Sequence, residues 1–402
     1  MRNFLNVYGT GVLLAATGVG AGDLITSGLA GINFKTTLLW ACVFGAALKY
    51  FLNEGLARYQ MATNETIITG WITRISPLIK WPFLIYLILW SYFVGGALIN
   101  ACAVATSNIF QLTDQYQHSK IIYGILHSVA GLLIVRYCNF AVIEKIMSAF
   151  IFTMFCSVIV TAAMIFNIDQ FSLTHVFVPI INSKNLTYSI AVLGGVGGTL
   201  TVLSYSYWLI EKKRQGQEGL STSRKDLALA YTLTALFSMA MIIIGSELPN
   251  FDGPKSMFPV YISNIFAQQW GVTGKYLFLI GFWNGVFSSL LGVWQSVPYL
   301  YADFIRIQDG QHEEALTSTK SYQRYLYFLA LVPISSLWFK FEKIQLAYAV
   351  IGALFMPLLA LSLIVLTNKA VMKKMKSTLF HNLIYLFIFI CFLYFGFFKL
   401  TK

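Results

Sequence analysis

Charge is what this chain has least of. Only 11% of its 402 residues are Asp, Glu, Lys or Arg, while 57% are apolar. A soluble domain carries about 25% charged residues, so an ordinary water-exposed surface is excluded and a bilayer is left as the solvent. Cysteine is sparse too. Cys42, Cys102, Cys138, Cys156 and Cys391 are scattered, mostly in apolar runs, and have no CxxC spacing; they read as small packing residues rather than disulfides or ligands. No small-residue cleavage site follows the first apolar run, so no cleaved leader is expected. The chain also lacks a nucleophile beside a base, a phosphate-cradling loop and a His/Cys zinc cluster. It is therefore not read as an enzyme, and no cofactor is expected. Long polar inserts are missing as well, which excludes an inserted soluble domain.

What is present is a series of apolar runs. A membrane-crossing helix needs about 20 predominantly apolar residues. By that measure there are about eleven candidates, near 9–31, 36–59, 81–107, 121–136, 143–166, 187–210, 227–246, 276–304, 322–339, 344–367 and 378–398. The eighth is long enough to tilt or to run past the membrane. The 16% aromatic share suits interfacial belts of Trp and Tyr. The expected class is an all-α membrane protein forming a single transmembrane domain over 1–402.

Orientation follows from Lys and Arg. Alternate connections carry about twice as many as the others, among them Arg58, Arg74, Lys80, Lys212, Lys213, Arg214, Arg224, Lys225 and Arg306. Basic segments stay in the cytoplasm, which places the N-terminus inside and, with an odd number of spans, the C-terminus outside. The plasma membrane (the inner membrane if the source is bacterial) is the expected location. The net charge of +12 is then basic loops facing anionic lipid, not a nucleic-acid surface. Membrane lipid is the expected partner, with no nucleic acid and no obligate protein partner.

Two stretches break the apolar pattern. "ATGVGAGDLITSG" (16–28) and "LGGVGGTLTVLSYSYW" (193–208) concentrate glycine inside the first and sixth runs. Glycine weakens a helix, and non-helical backbone at membrane depth is tolerated only inside protein or along a cavity. One broken helix opening each half of the chain suggests a 5+5 inverted repeat, about 9–166 and about 187–367, followed by an extra helix at about 378–398. In such carriers the broken pair forms the substrate site near the midplane. Close packing through small residues is the other reading of the glycines.

Asp23 is the only charge between Asn6 and Lys35. A carboxylate at this depth costs several kcal/mol unless partnered. The partner is a cation, a proton or the one basic residue deep in the second run, Lys49. Direct pairing with Lys49 would argue against a cation site; Asp23 facing Thr201 across unwound backbone would favour one. Glu54 and Arg58 have i,i+4 spacing and read as a local pair, and Asp303 and Arg306 close the eighth run on the same side. Asn100, Asn284 and Gln295 read as interhelical hydrogen bonders, and His127 and His381 as packed residues or proton carriers.

At this point the sequence resembles the Nramp family of proton-coupled divalent-metal transporters. The similarity runs through "LLAATGVGAGDLITSGLAGINFKTTLLW" (13–40), "VIEKIMSAFIFTMFCSVIV" (142–160), "GGVGGTLTVLSYSYW", "FSSLLGVWQSVPYLYADF" (287–304) and "MPLLALSLIVLTNKAVM" (356–372). It implies a LeuT-type bundle with discontinuous helices 1 and 6, ten core helices and an eleventh. The family's metal-binding Asp-Pro-Gly-Asn is matched by Gly20-Ala21-Gly22-Asp23, and its Met-Pro-His by Thr201-Val202-Leu203. A Gln of the family's tenth helix is matched by Phe355, and the third helix lacks the acid of the usual proton path. What remains to bind a metal is Asp23, the Thr201 hydroxyl and the carbonyls of Gly20 and Gly198. This oxygen-only set is hard and suits Mg2+ or Mn2+ over softer metals. The expected function is a carrier moving a small inorganic cation, with proton coupling left open, the metal being substrate and not cofactor. A symporter of amino acids or other small solutes on the same fold is the alternative, and a non-transporting receptor or scaffold a third.

Overall fold

The computed structural model describes residues 2–166, 171–248, 251, 253, 257–309 and 316–400. Helices fall on all eleven expected runs. In order they are α1 (Arg2–Gly18), α2 (Ala21–Phe34), α3 (Leu39–Thr63), the short α4 (Ile67–Gly70), α5 (Lys80–Ile109), α6 (Tyr116–Tyr137), α7 (Phe140–Ile165), the short α8 (Thr174–Phe177), α9 (Leu186–Gly195), α10 (Ser204–Glu211), α11 (Gly216–Ser246), α12 (Phe258–Asp309), α13 (Lys320–Leu331), α14 (Phe341–Ala353), α15 (Phe355–Thr367) and α16 (Leu379–Leu400). Among the described residues, eight helical stretches are long and apolar enough to cross a membrane, and Val7–Gly18 and Leu379–Tyr394 are shorter apolar helices. The protein is a multi-pass membrane protein.

The first run is two half-helices, α1 and α2, and the sixth is α9 and α10 joined by an irregular stretch and a 3-10 turn, Leu200–Leu203. The eighth run starts earlier than its hydropathy indicates, because α12 bends at Trp270 and Gly271 (φ 65°) and continues to Asp309. The core is apolar and aromatic, with Trp90, Trp208 and Trp294 fully buried. Phe355 stacks on Tyr86 at 5.8 Å between ring centroids, so it plugs a gap between α5 and α15. Asn100 donates to Gly96 O and Ser336 Oγ. His127 is satisfied at both nitrogens, with Nδ1 at 2.7 Å from Tyr123 O and Nε2 accepting from the Trp283 N–H at 2.8 Å. The five cysteines are free thiols.

The connections rich in Lys and Arg come together at one end of the bundle. Glu54 takes both Arg58 (2.6 Å) and Arg224 (2.8 Å), and Arg58 reaches Lys376 O and His381. Asp303 pairs with Arg306 at 2.5 Å and accepts from the Tyr207 hydroxyl and Thr66. Arg74 forks onto Glu65 with bonds of 2.8 and 2.6 Å and thereby holds that carboxyl below the usual range. α1 is fastened to the same end. Asp226 accepts from Thr10, from the Gly11 N–H (2.7 Å), from the Tyr205 hydroxyl (3.0 Å) and from Arg214 (2.9 Å). Arg214 also donates to Val7 O, and Lys212 pairs with Glu144 at 2.7 Å. Residues 310–315 of the connection before α13 lie outside the described residues.

Candidate functional site

The first helix ends after Val19, whose N–H still donates to Ala15 O at 2.8 Å, because Gly20 turns extended. Gly20 is extended (φ −119°, ψ −171°) and caps α2. Asp23 is the third residue of α2. A carboxylate at that position can reach back toward the cap N–H, as in a capping box. Its charge also sits at the positive end of a half-helix dipole. At the end of α1, the Ala16 and Val19 carbonyls accept from Ser289 Oγ at 3.0 and 2.9 Å, and Ser288 adds a 3.2 Å bond to Ala16 O. Those two hydroxyls from α12 replace the helical N–H groups that the break removes.

The sixth-helix break is made by Gly197 (φ 79°) and Gly198 (φ 81°), both left-handed. It lies directly against the first. A Cβ on Gly18 would come within 2.7 Å of the Gly197 carbonyl carbon, and one on Gly198 would be 3.3 Å from Gly18 Cα. Glycine lets the two broken helices touch backbone to backbone. Gly198→Ala is expected to cost at least about 2 kcal/mol, from left-handed strain plus a clash with Thr201 Oγ1. Gly194→Ala, whose methyl would meet only Phe392 at 3.6 Å, is its near-neutral control. Thermal unfolding in detergent reads both, and equal melting temperatures would refute the argument.

Asp23 is 6% exposed, Thr201 2% and Lys49 0%, so all three side chains are buried. Asp23 Oδ1 rests on Gly195, where an added Cβ would approach to 2.7 Å, and so the carboxylate spans from one break to the other. Thr199, at the end of the irregular stretch of the sixth-helix break, accepts from Trp90 Nε1 at 3.2 Å.

The expected site residues fall at the breaks but do not all converge. Gly20 O accepts the first helical bond of α2, from Leu24 N–H at 3.2 Å. Gly198 O accepts from Lys49 Nζ. Thr201 Oγ1 has no hydrogen-bond partner among the described residues and packs on Gly198 rather than bonding to Asp23. Lys49 forms no salt bridge of 4 Å or less with Asp23; it donates instead to Gly194 O at 2.8 Å and to Gly198 O. Neither of the two geometries posed from sequence is the one found. The roles of Ser288, Ser289, Trp90 and Thr199 were not read from sequence. Thr199 alone carried a signal, as the hydroxyl directly after the glycine pair.

The family described as natural resistance-associated macrophage protein-like, Nramp, matches residues 11–399. The chain belongs to the Nramp family. Solved structures similar to this Nramp protein include a crystal structure of a mutant of the Eremococcus coleocola manganese transporter. It is 16% identical, covers 98% of this chain and 86% of its own, and has a TM-score of 0.78. A Na+-coupled sialic acid symporter is 11% identical over 96% of this chain and 88% of its own, with a TM-score of 0.64. MhsT in complex with L-phenylalanine is 14% identical over 95% and 97%, with a TM-score of 0.60. These likenesses establish a LeuT-type fold. No curated protein matches the chain by sequence.

Proposed function

We propose that this Nramp protein is a secondary transporter that moves a hard divalent cation, Mg2+ or Mn2+, by alternating access. The observation that carries the reading is Asp23, a carboxylate buried at the meeting point of two broken helices. Oxygen ligands suit these metals, and Thr201, Gly198 and Gly20 are the nearest candidates to join Asp23 once the breaks rearrange. The 5+5 repeat, about 9–166 and about 187–367, is the frame in which one half would rock against the other. The basic end of the bundle is assigned to the cytoplasm of the plasma membrane, with the N-terminus inside, the C-terminus outside and lipid as the standing partner.

Purified protein in proteoliposomes is expected to take up Mn2+ or Mg2+ faster than empty liposomes. Uptake of neither metal above that background would end the substrate assignment. One observation favours a second reading. The Asp23 carboxyl lies against Gly195 and the Lys49 amine donates to Gly194 O, an acid and a base on one break that fit a zwitterion such as an amino acid, and MhsT binds L-phenylalanine on the same fold. A thermal-shift comparison of metals against amino acids separates the two, because only a ligand of the folded state raises the melting temperature.

A further inference from the structure

A buried lysine is costly in a membrane interior, and Lys49 is fully buried. Its stem runs beside Gly197, where an added Cβ would be 3.7 Å from Lys49 Cδ. Its ammonium donates to Gly194 O at 2.8 Å and to Gly198 O. These two carbonyls lie at the C-terminal end of α9 and in the break just beyond it. A half-helix dipole is negative there, and the unwound backbone leaves acceptors that lipid cannot satisfy. α3 brings the lysine in closely, since a Cβ on Gly45, one turn earlier, would be 2.9 Å from Leu193 O. Two carbonyl oxygens converge on one cationic nitrogen, and Asp23 Oδ1 lies against Gly195, the residue next to one of them; together they have the chemistry of a small-cation site. The ion in this one is tied to the protein by its own stem.

We propose that Lys49 is a tethered cation: its ammonium fills the carbonyl pair of the sixth-helix break, and a transported cation engages Asp23 and Gly198 by displacing it. The inference rests on reading Asp23 as a cation ligand and goes beyond it by naming the group the substrate competes with. It accounts for two features at once. The empty carrier keeps a countercharge for Asp23 while it reorients, so no bare carboxylate is left in the membrane. Substrate binding is also weakened by the work of displacing the ammonium, which favours release on the far side.

The test is Mn2+ and Mg2+ binding to full-length protein in detergent, by calorimetry and by metal-induced thermal shift. The wild type is compared with Lys49→Met, Lys49→Gln and Asp23→Asn. Removing a positive charge this close to the site is expected to tighten metal binding at least about ten-fold in Lys49→Met, with a larger metal-induced thermal shift than in the wild type. Lys49→Gln keeps N–H donors for the carbonyls without the charge, so it carries the test if the Met variant does not fold. Lysine variants that bind metal no tighter than the wild type, while Asp23→Asn loses binding, overturn the tethered cation and leave the Asp23 site standing. Metal binding by none of the four proteins, or unchanged by Asp23→Asn, overturns the site reading and the tethered cation with it.

Discussion

Asp23→Asn is expected to lower Mn2+ or Mg2+ uptake into proteoliposomes by about ten- to a hundred-fold at subsaturating metal. The substitution is close to isosteric, and the carboxamide oxygen keeps an acceptor at the third position of α2. The half-helix cap therefore survives, and the loss falls on charge. An interaction with a charged group is worth about 1.5–3 kcal/mol against about 0.5–1.5 for a neutral one, and each 1.4 kcal/mol is about ten-fold in affinity. The same substitution leaves the Lys49 ammonium without its countercharge. The two groups are not in direct contact and Lys49 keeps its two carbonyl partners, so the cost is below the about 3–5 kcal/mol of breaking a buried contact pair, and Asp23→Asn should melt modestly earlier than the wild type. Combining it with Lys49→Met is expected to restore most of that stability without restoring uptake, because the two residues share one electrostatic balance and their effects do not add. Wild-type uptake in Asp23→Asn would remove Asp23 from the transport site.

Asp226→Ala is expected to destabilise the protein by about 3–5 kcal/mol, the cost of leaving a buried partner charge uncompensated. Asp226 is fully buried and gathers donors from three separate parts of the chain: Thr10 and Gly11 of α1, Tyr205 of α10, and Arg214 in the turn before α11. Arg214, itself nearly buried, would lose its carboxylate partner while its bond to Val7 O remains. The substitution therefore releases the start of α1 from the basic end of the bundle, below the first break. Limited proteolysis in detergent should show new cleavage near the N-terminus, alongside a lower melting temperature. Asp226→Asn, which retains an acceptor for Gly11, is expected to lose less. A melting temperature within error of the wild type for Asp226→Ala would show that α1 is held by other contacts.

Legibility in the sequence followed the range of each interaction. The eleven helical runs were legible because a bilayer allows one solution to an apolar stretch of about 20 residues: the backbone must bond to itself, and a helix does so locally. The two breaks were legible for the same reason in reverse, since glycine clusters such as Gly18-Val19-Gly20 and Gly197-Gly198 mark where the helix is weakest. Local pairs came out as well. Glu54–Arg58 and Asp303–Arg306 are set by helical spacing alone. The bend at Trp270–Gly271 was missed, because one glycine in a partly polar run looks like the end of a helix rather than a kink within one.

The sequence by itself determined the solvent, the helices, the place of the breaks and the rarity of Asp23, all of which depend on composition and on neighbours within a few residues. The tertiary structure alone decided what Asp23 and Lys49 face. Their partners lie more than a hundred residues away, at Gly195 for the carboxylate and at Gly194 and Gly198 for the ammonium. A side chain's spacing along its own helix fixes which face it occupies, but which backbone lies across from that face is set by the packing of the whole bundle.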